Sequence, residues 1–173
     1  MEGKNNEIRI NEFLKLISEN KGIIYKICNV YSNSREDKDD LNQEIILQLW
    51  KSYPNFQGKS KFSTWMYRIA FNTAITNIRK SKQHPIIEAL SGTDLSFSEK
   101  EDIDYLSEDV NQLYKAISKL KDVEKAIIML YLEEKSYNEI GKIIGISEKN
   151  VSVKIVRGKE KLKKLMNKQS SHV

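Results

Sequence analysis

Apolar residues return at steps of three and four along almost the whole chain, and no strand-length run alternates apolar with polar residues. That is the period of a helix face, not of a pleated strand. With only two prolines and seven glycines to interrupt it, the pattern predicts an all-α protein. A first helical region is expected over residues 7–31, interrupted near Asn20 to Gly22, with Phe13, Leu16, Ile17, Ile24, Ile27 and Tyr31 turned inward. A second starts in the cluster Glu36, Asp37, Asp39 and Asp40, whose carboxylates suit the positive end of a helix. It runs to about Ser52 on an apolar face of Leu41, Ile45 and Leu49. Residues 53–61, with Pro54 and Gly58, read as a loop, after which Ser63 or Thr64 caps a third helix ending near Lys82.

Four more helices are expected over residues 107–120, 122–133, 136–144 and 147–165, with residues 167–173 frayed. In the first of these, Leu113, Ile117 and Leu120 face inward. Residues 137–165 form a helix-turn-helix pattern: Ile140 and Ile144 inward, a turn at Gly145 and Ile146, then Ser147 as the cap of a longer helix. On that helix Val151, Ile155, Gly158, Leu162 and Leu165 share one narrow arc and must pack inward. Lys149, Val153, Val156, Arg157, Glu160 and Lys164 lie opposite.

Charge divides the chain into three. Residues 1–83 carry net +5, residues 84–110 net −7 and residues 111–173 net +7. Two small basic domains joined by an acidic linker are therefore expected, with domains at residues 1–83 and 107–173 and the linker at 84–106. The linker, with Pro85 and small polar residues at Ser91 to Thr93, should stay off nucleic acid by virtue of its charge. Basic modules suit a polyanionic partner, although a solvated basic surface gives the same totals. The lone Cys28, in an apolar helical pattern, excludes a disulfide framework and reads as a buried thiol in a reducing, cytoplasmic setting. The longest apolar run, residues 126–132, is far short of the roughly 18 needed to span a bilayer, and the N-terminus has no signal-peptide core. No membrane insertion is expected.

Candidate chemistry concentrates in two places. Residues 45–87 hold no acid, seven Lys or Arg, and seven of the fifteen aromatics. Cations neutralise phosphates while ring faces accept unstacked bases. On the third helix, Met66, Tyr67, Ala70, Phe71, Ala74 and Ile78 form the core arc, and Trp65, Arg68, Asn72, Thr76 and Arg79 form an opposite, exposed arc. Lys80 extends its charge, and the preceding loop with Phe56, Gly58, Lys59 and Lys61 is placed to hold a flipped-out base. On the last helix, Asn150, Ser152, Val153, Val156 and Arg157 are candidates for base reading, since the N-terminal half of a recognition helix meets base edges. The two valines suit thymine methyls, although covering a neighbouring helix is the alternative. Lys149, Lys154, Lys159 and Lys161 suit phosphates. His84 and His172 stand apart from any constellation, so no catalytic residue, metal or cofactor is expected.

Asp40-Leu41-Asn42-Gln43-Glu44, then Trp50, then the run from Phe62 to Asn72 with Arg79-Lys80, closely resemble region 2 of sigma factors of the extracytoplasmic-function (ECF) group in the sigma-70 family. The C-terminal helix-turn-helix resembles their region 4, in the right order and at suitable separation. The resemblance implies a bacterial initiation factor that binds core RNA polymerase and directs it to particular promoters. It implies docking of Asp40, Gln43, Glu44, Leu47 and Trp50 on polymerase, chiefly the beta-prime subunit with the beta subunit as second contact. It further implies capture of the minus-ten element by the loop and the Trp65 to Arg79 stripe, and reading of the minus-thirty-five element by the recognition helix. The linker would run through polymerase, mimicking nucleic acid, and an anti-sigma factor, which many relatives have, would be a further partner.

The chain departs from the family pattern at Gly141 and Gly158, where Ala is usual, at Asn150 and Lys154, and at Phe71, where a frequent Arg is lost from the melting helix. Gly158 is expected to cost about 0.5 to 1 kcal/mol of helix stability relative to Ala. A helix-turn-helix regulator acting without polymerase is the competing reading, but it needs no acidic Asp40 to Glu44 helix. A helical adaptor or an enzyme finds no support in a nucleophile, metal cluster or phosphate loop.

Overall fold

The computed structural model describes residues 2–83 and 107–170, with side chains described for 7–80 and 107–167. The expected linker, His84 and His172 lie outside the described residues. Among the described residues there are seven α-helices and one 3₁₀ turn, and no strand. The chain forms two compact units, Met1–Ala74 and Ile75–Val173, the division falling within the third helix.

In the first unit, α1 (Glu2–Tyr31) is unbroken, against the expected interruption near Asn20 to Gly22. An exposed Gly costs a helix only about 1 kcal/mol, and packing on both sides of it outweighs that. Phe13 is buried before the glycine and Ile24, Ile27 and Tyr31 after it, while Leu16 and Ile17 are half-buried. Asn20 turns its amide back to the Leu16 carbonyl at 2.8 Å. α2 (Arg35–Ser52) opens with a capping box: Ser34 Oγ accepts from the Asp37 amide, and the Asp37 carboxylate accepts from the Ser34 amide. Leu41, Ile45 and Leu49 are buried, as the spacing requires. A 3₁₀ turn, Tyr53–Asn55, follows.

α3 (Phe62–Gln83) begins earlier than its expected caps. Ser63 and Thr64 lie inside its first turn, and the Lys61 carbonyl accepts the first bond, from the Trp65 amide. Aromatic anchoring replaces capping here: Phe62 and Trp65, one turn apart, have ring centroids 5.2 Å apart. Met66, Tyr67, Ala70, Phe71 and Ala74 are buried, whereas Ile78 is only half-buried. Phe71 meets Tyr31 at 6.0 Å and Tyr67 at 5.8 Å. At 1% exposure it holds the core, so no charge is lost from the outward face at this position.

In the second unit, α4 (Glu108–Ser118), α5 (Asp122–Leu132), α6 (Tyr137–Ile144) and α7 (Glu148–Ser170) pack around α5. Every residue from Lys125 to Leu130 is buried, as expected of a helix enclosed on all sides. On α4, Ile117 and the following Leu120 are buried while Leu113 is half-buried. α6 has its own capping box, Ser136 with Glu139. It buries Ile140 and Ile143, leaving the expected Ile144 half-buried. α7 continues to Ser170, past the point where fraying was expected.

Candidate nucleic-acid interface

The helix-turn-helix closes through glycines. Gly145 takes φ 83° as the left-handed cap of α6, a conformation that side-chain-bearing residues resist. The Gly141 carbonyl then accepts from the amides of Gly145 and Ile146, at 2.8 and 3.1 Å. A Cβ on Gly141 would stand 2.7 Å from the Ile146 carbonyl oxygen, so a methyl there would force the turn's backbone to shift. Ser147 Oγ accepts from the Asn150 amide at 3.3 Å and opens α7.

The rotation of α7 about its axis is fixed from beneath. Val151, Ile155, Gly158 and Leu162 are buried on the expected arc, while Leu165 at its end is half-buried. A Cβ on Gly158 would meet Ile128 Cδ1 at 2.7 Å and Cγ1 at 2.9 Å. The expected cost of Gly158 is thus corrected: the glycine lets α5 and α7 approach, a gain that Ala would forfeit. Along the flank, Lys161 Nζ lies 2.8 Å from both Glu124 carboxylate oxygens. Burial alone would raise the Glu124 pKa, but the hydrogen bonds and charges of Lys161 and Lys121 together outweigh it and hold the carboxyl below its ordinary value. Lys159 Nζ donates to the Tyr131 hydroxyl at 2.7 Å and sits 4.1 Å from that ring's centroid. Of the four lysines the sequence offers to phosphates, Lys159 and Lys161 are therefore engaged with α5, Lys149 is exposed and Lys154 half-buried. Asn150, Val153, Val156 and Arg157 face solvent, and Ser152 is half-buried.

In the first unit the aromatic residues do not stand free. Phe13, Trp50, Tyr53, Phe56, Phe62 and Trp65 form a continuous ring cluster joining α1, α2, the loop and α3. Trp65 packs 5.0 Å from Phe56 and is half-buried. The exposed arc expected of α3 is corrected at this residue: Arg68, Asn72, Thr76, Arg79 and Lys80 are exposed, and the indole offers only part of its surface. Phe56 is likewise half-buried, beside exposed Lys59 and Lys61. Gly58, with φ 66°, makes the loop's left-handed bend. The loop's rings are locked to one another in advance, a signal that spacing within single helices does not carry.

On α2, Asp40, Gln43 and Leu47 share an exposed face, with Leu47 43% accessible. Glu44 is half-buried and accepts from Gln48 Nε2 at 2.8 Å. Trp50 turns towards α1, with Phe13 edge-on at 5.1 Å and the Arg9 guanidinium 5.2 Å from its ring.

Two family models match the chain in order: Sigma-70 region 2 over residues 16–84 and Sigma-70 region 4 over residues 111–162. The chain belongs to the sigma-70 family. Among its relatives are ECF RNA polymerase sigma factor SigW of Bacillus subtilis, 32% identical over 163 residues, covering 88% of this chain and 87% of that protein. The RNA polymerase sigma factor YlaC of the same organism is 31% identical over 139 residues, covering 77% and 79%. The Escherichia coli ECF RNA polymerase sigma-E factor is 32% identical over 136 residues, covering 72% and 71%. In fold, this sigma factor is similar to RpoE of Bartonella quintana, solved with the anti-sigma factor NepR: TM-score 0.65, 19% identity, covering 91% and 95%. CnrH, solved with the cytosolic domain of CnrY, gives TM-score 0.62 at 19% identity, covering 90% and 87%. This ECF sigma factor binds core RNA polymerase and confers promoter specificity. Among the described residues no helix is long and apolar enough to cross a membrane.

Proposed function

We propose that residues 1–83 dock on polymerase and open the minus-ten element, that residues 84–106 connect the two domains, and that residues 107–173 read the minus-thirty-five element. Asp40, Gln43, Glu44, Leu47 and Trp50 meet the beta-prime subunit, the beta subunit being the second contact. An acidic face with an exposed leucine one turn beyond Glu44 suits a basic protein surface and repels DNA. Phe56, Lys59, Lys61, Trp65, Arg68, Asn72, Thr76, Arg79 and Lys80 hold the separated strand. Stacking contributes about 1 to 3 kcal/mol per base, against a few kcal/mol for unstacking it, and rings already packed together lose little freedom on accepting one. Lys149, Asn150, Ser152, Val153, Lys154, Val156, Arg157 and Lys161 face the upstream duplex, with Lys161 exchanging Glu124 for a phosphate.

The observation that carries this reading is the pairing, in one chain, of an acidic face on α2 with a basic α3 that opens in an aromatic cluster and a basic recognition helix. The chain does no chemistry of its own; polymerase forms the bonds, in the cytoplasm. An anti-sigma factor is proposed as a further partner because the Bartonella relative was solved with one. The test is reconstitution with core polymerase on fragmented genomic DNA, followed by mapping of start sites. Specific transcripts from a subset of promoters are expected, and failure to co-purify with core polymerase would sink the reading.

A further inference from the structure

Val153 and Val156 are 42% and 55% exposed, at the centre of the outward face of α7. Their surroundings are polar: Lys149 and Asn150 precede Val153 by four and three residues, and Arg157 and Glu160 follow it and Val156 by four. Neither valine can turn inward, because the buried arc of Val151, Ile155 and Leu162, the close approach of α5 at Gly158 and the Lys159 tie to Tyr131 fix the rotation of the helix. Through Asn167, α7 carries seven Lys or Arg against Glu148 and Glu160, so the surface around this apolar pair suits a polyanion. The 5-methyl group of thymine is the apolar feature that a DNA major groove displays.

We infer that Val153 and Val156 each contact a thymine methyl, and that the upstream element of this sigma factor carries two thymines within two base pairs of each other at this place. Residues three apart on a helix have Cβ atoms about 5 to 6 Å apart. Base pairs rise about 3.4 Å along the axis, so two valines in one groove span one or two steps. The inference rests on the reading of α7 as the upstream-element helix and adds the identity of the bases it selects.

The test uses holoenzyme assembled with the full chain, on a promoter obtained by start-site mapping, with each upstream thymine replaced singly by deoxyuridine, which lacks only the methyl. Two replacements are expected to weaken binding about fourfold each, the value of one buried methyl-sized group. In Val153→Ala holoenzyme one of the two losses should vanish, and in Val156→Ala the other. Both residues are exposed, so the variants keep the fold. Equal deoxyuridine losses in all three proteins, or no loss in any, would overturn the inference. If the alanine variants lower transcription with no dependence on the methyls, the pair contacts a protein instead, and the inference also falls. Absence of upstream protection by the unaltered holoenzyme would strike the reading of α7 itself, which separates the two failures.

Discussion

Gly158 shows how one position can reverse sign between helix propensity and packing. Propensity alone makes Ala better by about 0.5 to 1 kcal/mol, yet a methyl here would collide with two atoms of Ile128, itself 1% exposed. Rotation about the outer bond of Ile128 moves Cδ1 but leaves Cγ1 in place. Overpacking a filled core costs about 1 to 3 kcal/mol, so the collision wins. Gly158→Ala should therefore lower the stability of the C-terminal unit by about 1 kcal/mol. Combining it with Ile128→Val, which deletes Cδ1, should recover part of the loss in thermal melts; a raised midpoint for Gly158→Ala alone would refute the contact. Cys28 is buried, as its place in an apolar helical pattern requires. Burial, with Lys38 opposing and Asp39 assisting, pushes its thiol up to about 12, which leaves it un-ionised and inert at neutral pH.

At the scale of elements, the period of apolar residues located the inward faces, because a buried stripe must recur with the helix turn, although Ile78, Leu113, Ile144 and Leu165 at their edges are only half-buried. It could not locate contacts made across helices, and those decide how α7 is held. The Lys161–Glu124 pair links residues far apart in sequence, and nothing in either local pattern marks it. Because the Glu124 pKa is lowered on folding, its stabilisation is present above the ordinary carboxyl value of 4.5 and is lost as pH falls through the folded value. Lys161 is 45% exposed, so the contribution is below about 1 kcal/mol. Glu124→Gln should lower the midpoint slightly at neutral pH and converge with the parent protein in acid. Parallel melting curves across that range would remove the pair from the account. The capping boxes, Ser34 with Asp37 and Ser136 with Glu139, stand at the three-residue spacing that such a box requires, but the apolar period alone does not mark them.

For the whole molecule, the residues proposed for docking lie on α2 and those proposed for upstream reading on α7, so the two roles should separate by mutation. Asp40→Lys should weaken association with core polymerase by tenfold or more, about 1.4 kcal/mol, without altering the melting temperature. Arg157→Ala should leave core association intact and relax upstream selectivity, at about 1 to 3 kcal/mol. Co-purification and footprinting of both variants check this, and a shared defect would show that the two faces do not act separately. By itself the sequence determined the helical class, the helix-turn-helix, the acidic face of α2 and the membership implied by its motifs. Each is a matter of local period, spacing and charge. Only the tertiary structure decided that α1 runs unbroken past Gly22, that Trp65 packs with Phe56 and Phe62 rather than standing free, and that Gly158 is a packing requirement. Those outcomes depend on which atoms from distant parts of the chain meet. A helical wheel fixes the direction of a side chain but not what stands opposite it.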